Sequence, residues 1–289
     1  MTRKIYDCFT FFNELELLEI RLKEHYDYVD KFIIVEADKT FQGNTKPFYL
    51  EENWNQFAEF HDKITYIKVE DMPVNPDPWV LEYFQRNAIS RGLSGITFDD
   101  VIVVSDLDEL LRPSTFEFIR NDSLHTMWIC RQPIFWSKIN YVQVEPVGEG
   151  YNVNSMAVRA DKFTNAQDLR NRTMWAFLQV PMIYSDNDIQ TIQHAGWHFS
   201  YLGDDRQAKK KLESFSHKEA SHLIESLDTD VNIAAGKNTI APESAGRYSA
   251  VVLDEYFPSA ILKDLTRYAH LIVPGATIKM SDVLPAYDQ

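Results

Sequence analysis

The 289-residue chain holds two cysteines, no long uninterrupted apolar run, and too few basic side chains to balance its acids. Each shortage excludes something. Cys8 and Cys130 both lie in apolar stretches, which suits buried free thiols in a reducing compartment and leaves no disulfide framework. A membrane-crossing helix needs roughly 18 or more consecutive apolar residues, and the sequence has none. The opening "MTRKIYDCFTFF" also lacks the apolar segment of a signal peptide, so a soluble, cytoplasmic protein with no transmembrane segment is expected. Lys and Arg number 29 against 43 Asp and Glu, a formal net charge of −14. That acidic field argues against nucleic acid, whose phosphates require a basic stripe. An anionic small molecule is still admissible if a local cation cluster or a metal receives it. No repeat and no flexible linker interrupts the chain, and 45% hydrophobic residues supply a core, so a single domain is expected over residues 1–289.

What is present in the first half is an alternation of strand and helix patterns. "KIYDCFT" (4–10), "KFIIVEA" (31–37), "KITYIKV" (63–69) and "DVIVVSD" (100–106) read as strands. Between them fall helical patterns at 13–30, near "EENWNQFAEF", and at "WVLEYFQRNAISRGL" (79–93). Asn13 with Glu16 three residues on has the spacing of a capping box for the first helix. This rhythm implies an α/β fold with a mostly parallel sheet and right-handed crossovers. Ligands in such sheets bind beyond the carboxyl ends of the strands. The second half is less regular. "MWICR", "IFWSKINYVQV" and "NSMAVRADKF" read as strands, "DDRQAKKKLESFSHKEASHLIESL" as a helix, and "EYFPSAILKDLTRYAHLI" as a helix packing back.

The fourth strand runs straight into three carboxylates, Asp106, Asp108 and Glu109, in "VIVVSDLDEL". Closely spaced anions repel unless a positive group sits among them. Asp-x-Asp occurs three times in the chain. The pairs at 186/188 and 228/230 lie in polar stretches that read as turns, and only 106/108 follows a buried strand. Mg2+ or Mn2+ takes one or two carboxylates plus phosphate oxygens, and this placement suits that task. The competing explanation is that Asp106 merely caps the next helix. That helix has a better start at "RPSTFEF", with Pro113 in its first turn. Arg86, Asn87 and Arg91 end the helix feeding the acidic strand and form either a phosphate-binding group or an exposed basic helix end. His194 and His198 in "HAGWHFSYLG" share a side in helix or strand, and the aromatics and Gly196 favour an extended segment. Either histidine is a metal ligand or a core residue.

The blocks "YDCFTFFNELELLEIRL", "DKFIIVEADKTFQG", "DDVIVVSDLDEL", "AGWHFSY" and "KLESFSH" resemble glycosyltransferase family 17, within the GT-A fold. They span roughly residues 5–217, and the opening and AGWH blocks are the specific ones. The resemblance implies a Rossmann-like sheet, with residues 1–112 as a nucleotide-binding half and 113–289 as an acceptor half with C-terminal helices. It also implies an inverting transfer of N-acetylglucosamine from UDP-GlcNAc to a glycan acceptor, with Mn2+ or Mg2+ on the diphosphate. Carried onto this sequence, Asp106 and Asp108 become the nucleotide-sugar and metal aspartates, Asp108 coordinating directly, and His198 the late metal ligand. Phe11, Asn13 and Glu36 lie near the uridine, and Arg86 with Asn87 matches the Arg-Asn pair of GT-A folds. Animal members of the family are anchored in the Golgi membrane. The missing anchor here points instead to a soluble microbial or viral enzyme.

An inverting displacement needs a carboxylate to take the acceptor proton. Asp168 in "NAQDLRN" and Glu145 in "VQVEPVGEG" are the candidates, with Asp168 preferred because it follows the strand-like "SMAVRAD". Trp136, Tyr141, Trp175 and Trp197 offer faces for sugar stacking or for core packing. Two other classes stay open: a nucleotide-sugar or glycan-binding module without turnover, and a haloacid-dehalogenase-type phosphatase using the first Asp as nucleophile.

Overall fold

A computed structural model describes residues 3–145, 151–177 and 188–284, with side chains apart from those of 151–153, 173–177 and 218–219. The side chain of Trp175 and the whole of Asp186 fall outside that description. The chain forms two compact units, Met1–Arg131 with Val153–Gly196, and Gln132–Asn152 with Trp197–Gln289.

The first unit is built on a mostly parallel sheet. In chain order it contains β1 (Ile5–Phe11), α1 (Leu15–His25), β2 (Lys31–Ala37), α2 (Tyr49–Glu52), β3 (Ile64–Val69), α3 (Pro78–Asn87), β4 (Val101–Val104), β5 (Glu109–Leu111) and α4 (Pro113–Asn121). Strand β6 (Met127–Trp136) begins in it and ends in the second unit. Strand β1 pairs in parallel with β2 on one side and β4 on the other, and β2 pairs in parallel with β3. This is the expected α/β architecture, with the crossover helices the alternation required. Its central strands are buried throughout because both faces are covered, which is why β2 and β4 read as unbroken apolar runs. Ile33, Val35, Ile102 and Val104 pack there with Leu81, Ile89 and Leu169.

After β6 and β7 (Tyr141–Glu145), β8 (Tyr151–Arg159) returns antiparallel beside β4, and α5 (Ala166–Phe177) and β9 (Ile189–Ile192) follow in the first unit. Residues 189–192 pair in parallel with the start of β6.

Several local expectations need correction. Asn13 does not cap α1; Glu14 occupies that position with no side-chain cap, and the Asn13 N–H instead bonds the Glu14 carboxylate at 3.0 Å. The pattern near "EENWNQFAEF" forms one α-turn and then a 3-10 segment, Trp54–Phe60, and α3 ends at Asn87 in another, Ala88–Gly92. Short segments of this kind are held by packing, since no helix of that length is stable alone.

The second unit carries the end of β6 with β7, β10 (Gly196–Ser200, Gly196 itself in the first unit), α6 (Asp205–Ser214), α7 (Thr229–Ala234) and β11 (Arg247–Ala250). Strand β7 runs antiparallel to both β6 and β11, and β10 runs parallel to β6, with His198 opposite Ile134. The segment 196–200 is extended, as its aromatics required. Asp228 caps α7, so the Asp-x-Asp at 228/230 is a helix start. The C-terminal pattern is two single turns, Ser259–Leu262 and Ala269–Leu271, where one helix was expected. Both cysteines are buried and free. Among the described residues, no helix is long and apolar enough to cross a membrane.

Candidate functional site

The carboxyl end of β4 leads into a tight turn. The Glu109 N–H bonds the Asp106 carbonyl at 3.0 Å, and the Glu109 carboxylate reaches back to the Asp106 N–H at 2.8 Å. Strand β5 therefore starts at Glu109, and Asp106 caps no helix; α4 begins at Pro113, as its proline indicated. The turn sorts the three acids by exposure. The Asp106 side chain is 33% exposed, whereas Asp108 and Glu109 are buried. Asp106 is thus the carboxylate most open to solvent.

Among the described residues, Arg170 and Arg86 bring positive charge to Asp106 and Glu109, and Arg21 holds the turn's main chain. Arg170 on α5 spans two of them, with Nη2 2.6 Å from Asp106 Oδ2 and Nη1 2.5 Å from Glu109 Oε2. Burial works against its charge, but Asp106 and Glu109 outweigh it and push the guanidinium pKa up. Ser155 on β8 donates a further hydrogen bond to Glu109. Arg86 on α3 lies 3.3 Å from Asp106 Oδ1, is held by Glu82 at 2.5 Å, and also bonds the Gln167 side chain. Asn87 accepts the Gln167 N–H at 2.9 Å and so fixes the start of α5. The Arg-Asn pair therefore ties α3, α5 and the acidic turn together.

Arg21, fully buried on α1, holds the turn from beneath. Its Nη1 donates to the carbonyls of Asp106, Leu107 and Glu109 at 2.7, 3.2 and 3.2 Å. Its Nη2 reaches Ser105 Oγ and Asp7 Oδ1, and its Nε reaches Asp7 Oδ2. His25 bonds Asp7 through Nδ1 at 2.8 Å and the Leu111 carbonyl through Nε2 at 2.9 Å. Burial opposes the charge on Asp7, yet Arg21 and His25 together hold its pKa well below the carboxylate range.

The neighbouring strand ends carry a second buried ion pair. Glu36, fully buried on β2, accepts from Lys46 Nζ, the Tyr49 and Leu50 N–H groups and Tyr66 OH, so both its oxygens are engaged within the fold. Lys46 Nζ also lies 5.6 Å from the Phe12 ring and 5.1 Å from that of Tyr49. Phe11 is buried opposite Glu36 at the end of β1, with Asn13 in the loop that follows. Two residues past Glu36, Asp38 has a buried Oδ1 that no donor among the described residues reaches.

The remaining sequence candidates are scattered. Asp168 sits in the first turn of α5, where its carboxylate accepts from Asn165 at 2.7 Å and Thr164 at 3.3 Å. Two residues along a helix differ by about 200° around its axis, so Asp168 and Arg170 leave α5 in different directions. Glu145 ends β7 in the second unit, 62% exposed and paired with Arg247 at 2.7 Å. His198 lies on β10, also in the second unit.

The AGWH block has a role beside the acidic turn. The Ala195 carbonyl accepts from the Arg112 N–H and from Thr115 Oγ1, both at 2.8 Å. A Cβ on Gly196 would stand 1.8 Å from the Leu110 carbonyl oxygen, so only glycine fits. Arg21, Arg170 and Asp38 were missed in the sequence. An arginine inside the apolar run "LLEIRL" and an acid just past β2 were the available signals. Arg170 offered none.

Among the described residues, no three His, Cys, Asp or Glu side chains are arranged to hold a metal ion. At the carboxyl end of β4, Asp106 and Asp108 present hard carboxylate oxygens. Two carboxylates completed by phosphate oxygens fit Mg2+ or Mn2+.

Residues 1–129 match glycosyltransferase family 17. The chain is 22% identical to the β-1,4-mannosyl-glycoprotein 4-β-N-acetylglucosaminyltransferase of Homo sapiens and 21% to that of Rattus norvegicus, over 69% of its own length. It spans about 40% of the length of these relatives. A mannosyltransferase from Pyrobaculum calidifontis in complex with GDP-Man and Mn2+ superposes with a TM-score of 0.37 at 12% identity, covering 78% of this chain and 64% of that one. The galactosyltransferase LgtC with donor and acceptor sugar analogues gives 0.35 at 12%, covering 93% and 94%. Similarity that low carries no functional assignment.

Proposed function

We propose, from the match of residues 1–129 to glycosyltransferase family 17, that the chain transfers a sugar from a nucleotide-sugar donor to a glycan hydroxyl. The observation that carries this reading is the acidic turn itself, within the matched segment, at the carboxyl end of a parallel strand. That is where α/β sheets take their ligands. We assign UDP-GlcNAc as the donor, an inverting displacement as the chemistry and the cytoplasm as the location. The donor follows the relatives, whose names specify N-acetylglucosamine transfer.

In this reading Asp106 and Asp108 would hold Mn2+ or Mg2+, with phosphate oxygens of the donor completing the coordination. Bound there, the ion supplies positive charge to the leaving diphosphate as a Lewis acid. The chain's own groups do the rest. Arg86 adds charge beside Asp106, where negative charge develops as the sugar–phosphate bond breaks. Phe11, Asn13, Glu36 and Asn87 shape the strand-end loops against which the nucleotide lies. Asp38 Oδ1 is a buried acceptor for a ribose hydroxyl or a base N–H at the same end of the sheet. The acceptor hydroxyl gives its proton to a carboxylate, and of the two candidates Asp168 shares the unit that carries Asp106, while Glu145 does not.

The test is incubation of the protein with UDP-GlcNAc, Mn2+ and a panel of glycan acceptors, with product linkage assigned by NMR. Transfer with a β linkage supports the proposal. Binding of UDP-GlcNAc with neither transfer nor UDP release would make the protein a binding module, and phosphate release from monoesters would make it a phosphatase.

A further inference from the structure

In this structure Asp106 is already neutralised. Arg170 takes one of its oxygens at 2.6 Å and Arg86 faces the other at 3.3 Å, and both guanidiniums are nearly buried. Arg86 is fixed from three sides by Glu82, Gln167 and Asp106. Arg170 instead holds one carboxylate with each end of its fork, Asp106 with Nη2 and Glu109 with Nη1. Glu109 in turn is anchored by the Asp106 N–H and Ser155. The Arg170–Glu109 contact is therefore the firm one. The Arg170–Asp106 contact ends on the acid most open to solvent.

We propose that Arg170 is a resident counterion that a divalent cation displaces from Asp106, leaving its freed Nη2 to donate to the incoming diphosphate. The inference rests on the donor-site reading above and names the residue that couples cation and diphosphate binding there. A doubly charged ion on Asp106 and a guanidinium 2.6 Å from the same carboxylate repel strongly at such low solvent exposure. Arg170 can yield without losing its place, because Glu109 still holds the other end of the fork. A planar guanidinium with one edge released matches the geometry of phosphate oxygens. Arg170 is then a diphosphate-binding residue whose pairing differs between the empty and loaded states, and no group has to travel far.

The exchange predicts changes of opposite sign, which a purely structural salt bridge would not produce. Binding of Mn2+ alone, read from the loss of the free-ion electron paramagnetic resonance signal, is expected to be about tenfold tighter in Arg170→Gln than in the native protein. With Mn2+ saturating, UDP binding by calorimetry is expected to be about tenfold weaker in the same variant. Equal or weaker Mn2+ binding in a folded Arg170→Gln overturns the exchange while leaving the donor site standing. Should that variant not fold, the native protein decides. Its arginine Nε–H resonances, with Arg170 assigned through Arg170→Lys, must shift when Mg2+ is added without nucleotide. An unmoved Arg170 resonance at saturating Mg2+ overturns the exchange. If the native protein binds neither Mn2+ nor UDP, the donor-site reading and the exchange fail together.

Discussion

Arg21 Nη1 donates a 2.7 Å hydrogen bond to the main-chain oxygen of Asp106, so the first helix of the chain sets the backbone of a turn 85 residues away. The same guanidinium neutralises Asp7, and neither side chain has any exposure. Arg21→Met removes the turn's support and leaves Asp7 charged and buried beside His25 alone. Breaking one side of a buried pair costs about 3–5 kcal/mol. Urea denaturation should show a loss of that size. A loss below about 1 kcal/mol would mean that the pair is not the anchor described.

Acid should unfold the protein through carboxylates whose pKa is lowered by folding. Burial works against the charge on Asp122, but the Trp128 indole N–H, the Leu124 N–H and His125 bring its pKa down to about 2 from 3.8. A group depressed in the folded state stabilises above its unfolded pKa, and that contribution disappears as pH falls through the folded value. The denaturation midpoint should therefore be flat above about pH 5 and decline from about pH 4 toward pH 2. Asp7 adds to the same slope, because its pKa is also lowered. In Asp122→Asn the decline should be shallower; an identical slope would remove Asp122 from the acid response.

Gly196 stands where no side chain fits. Gly196→Ala forces the start of β10 away from the Leu110 carbonyl, and overpacking of this kind costs about 1–3 kcal/mol. The melting temperature should drop accordingly. Donor binding should weaken with it, because Leu110 directly follows the acidic turn. A variant with unchanged melting would show that β5 and β10 can separate freely at this point.

Asp108→Asn is expected to abolish Mn2+-dependent UDP release while circular dichroism stays native. Turnover near the native rate would take Asp108 out of the metal site and leave Asp106 as the carboxylate to test.

Asp168→Asn is expected to stop transfer while UDP binding by calorimetry is kept. The Asn165 and Thr164 contacts give Asp168 a second duty at the start of α5. A lowered melting temperature with intact transfer would assign it that duty alone.

The parallel sheet was legible because its cause is local. Buried strands such as "FIIVE" and "VIVV" must be continuous in apolar residues, and the helices between them carry their own periodicity. Pro113 likewise announced α4 by removing an N–H that a helix start leaves unpaired. Asn13 misled because a capping box is a pattern of residue types, while the cap itself depends on a backbone geometry that the β1–α1 loop does not adopt. Glu36 was expected near the uridine from its place at a strand end, but its hydrogen-bond partners could not be read from the sequence. The four donors converging on it come from Lys46, Tyr49, Leu50 and Tyr66, 10 to 30 positions away, and no local pattern predicts that convergence.

The sequence by itself determined the four parallel strands of the first half and the place where three acids would crowd together, since these follow from residue character over a few positions. Tertiary structure alone decided which cations meet those acids. Arg21, Arg86 and Arg170 lie 85, 20 and 64 positions from Asp106. Arg86 and Arg170 meet its carboxylate and Arg21 its main-chain oxygen, contacts that exist only once packing brings distant segments within hydrogen-bonding distance.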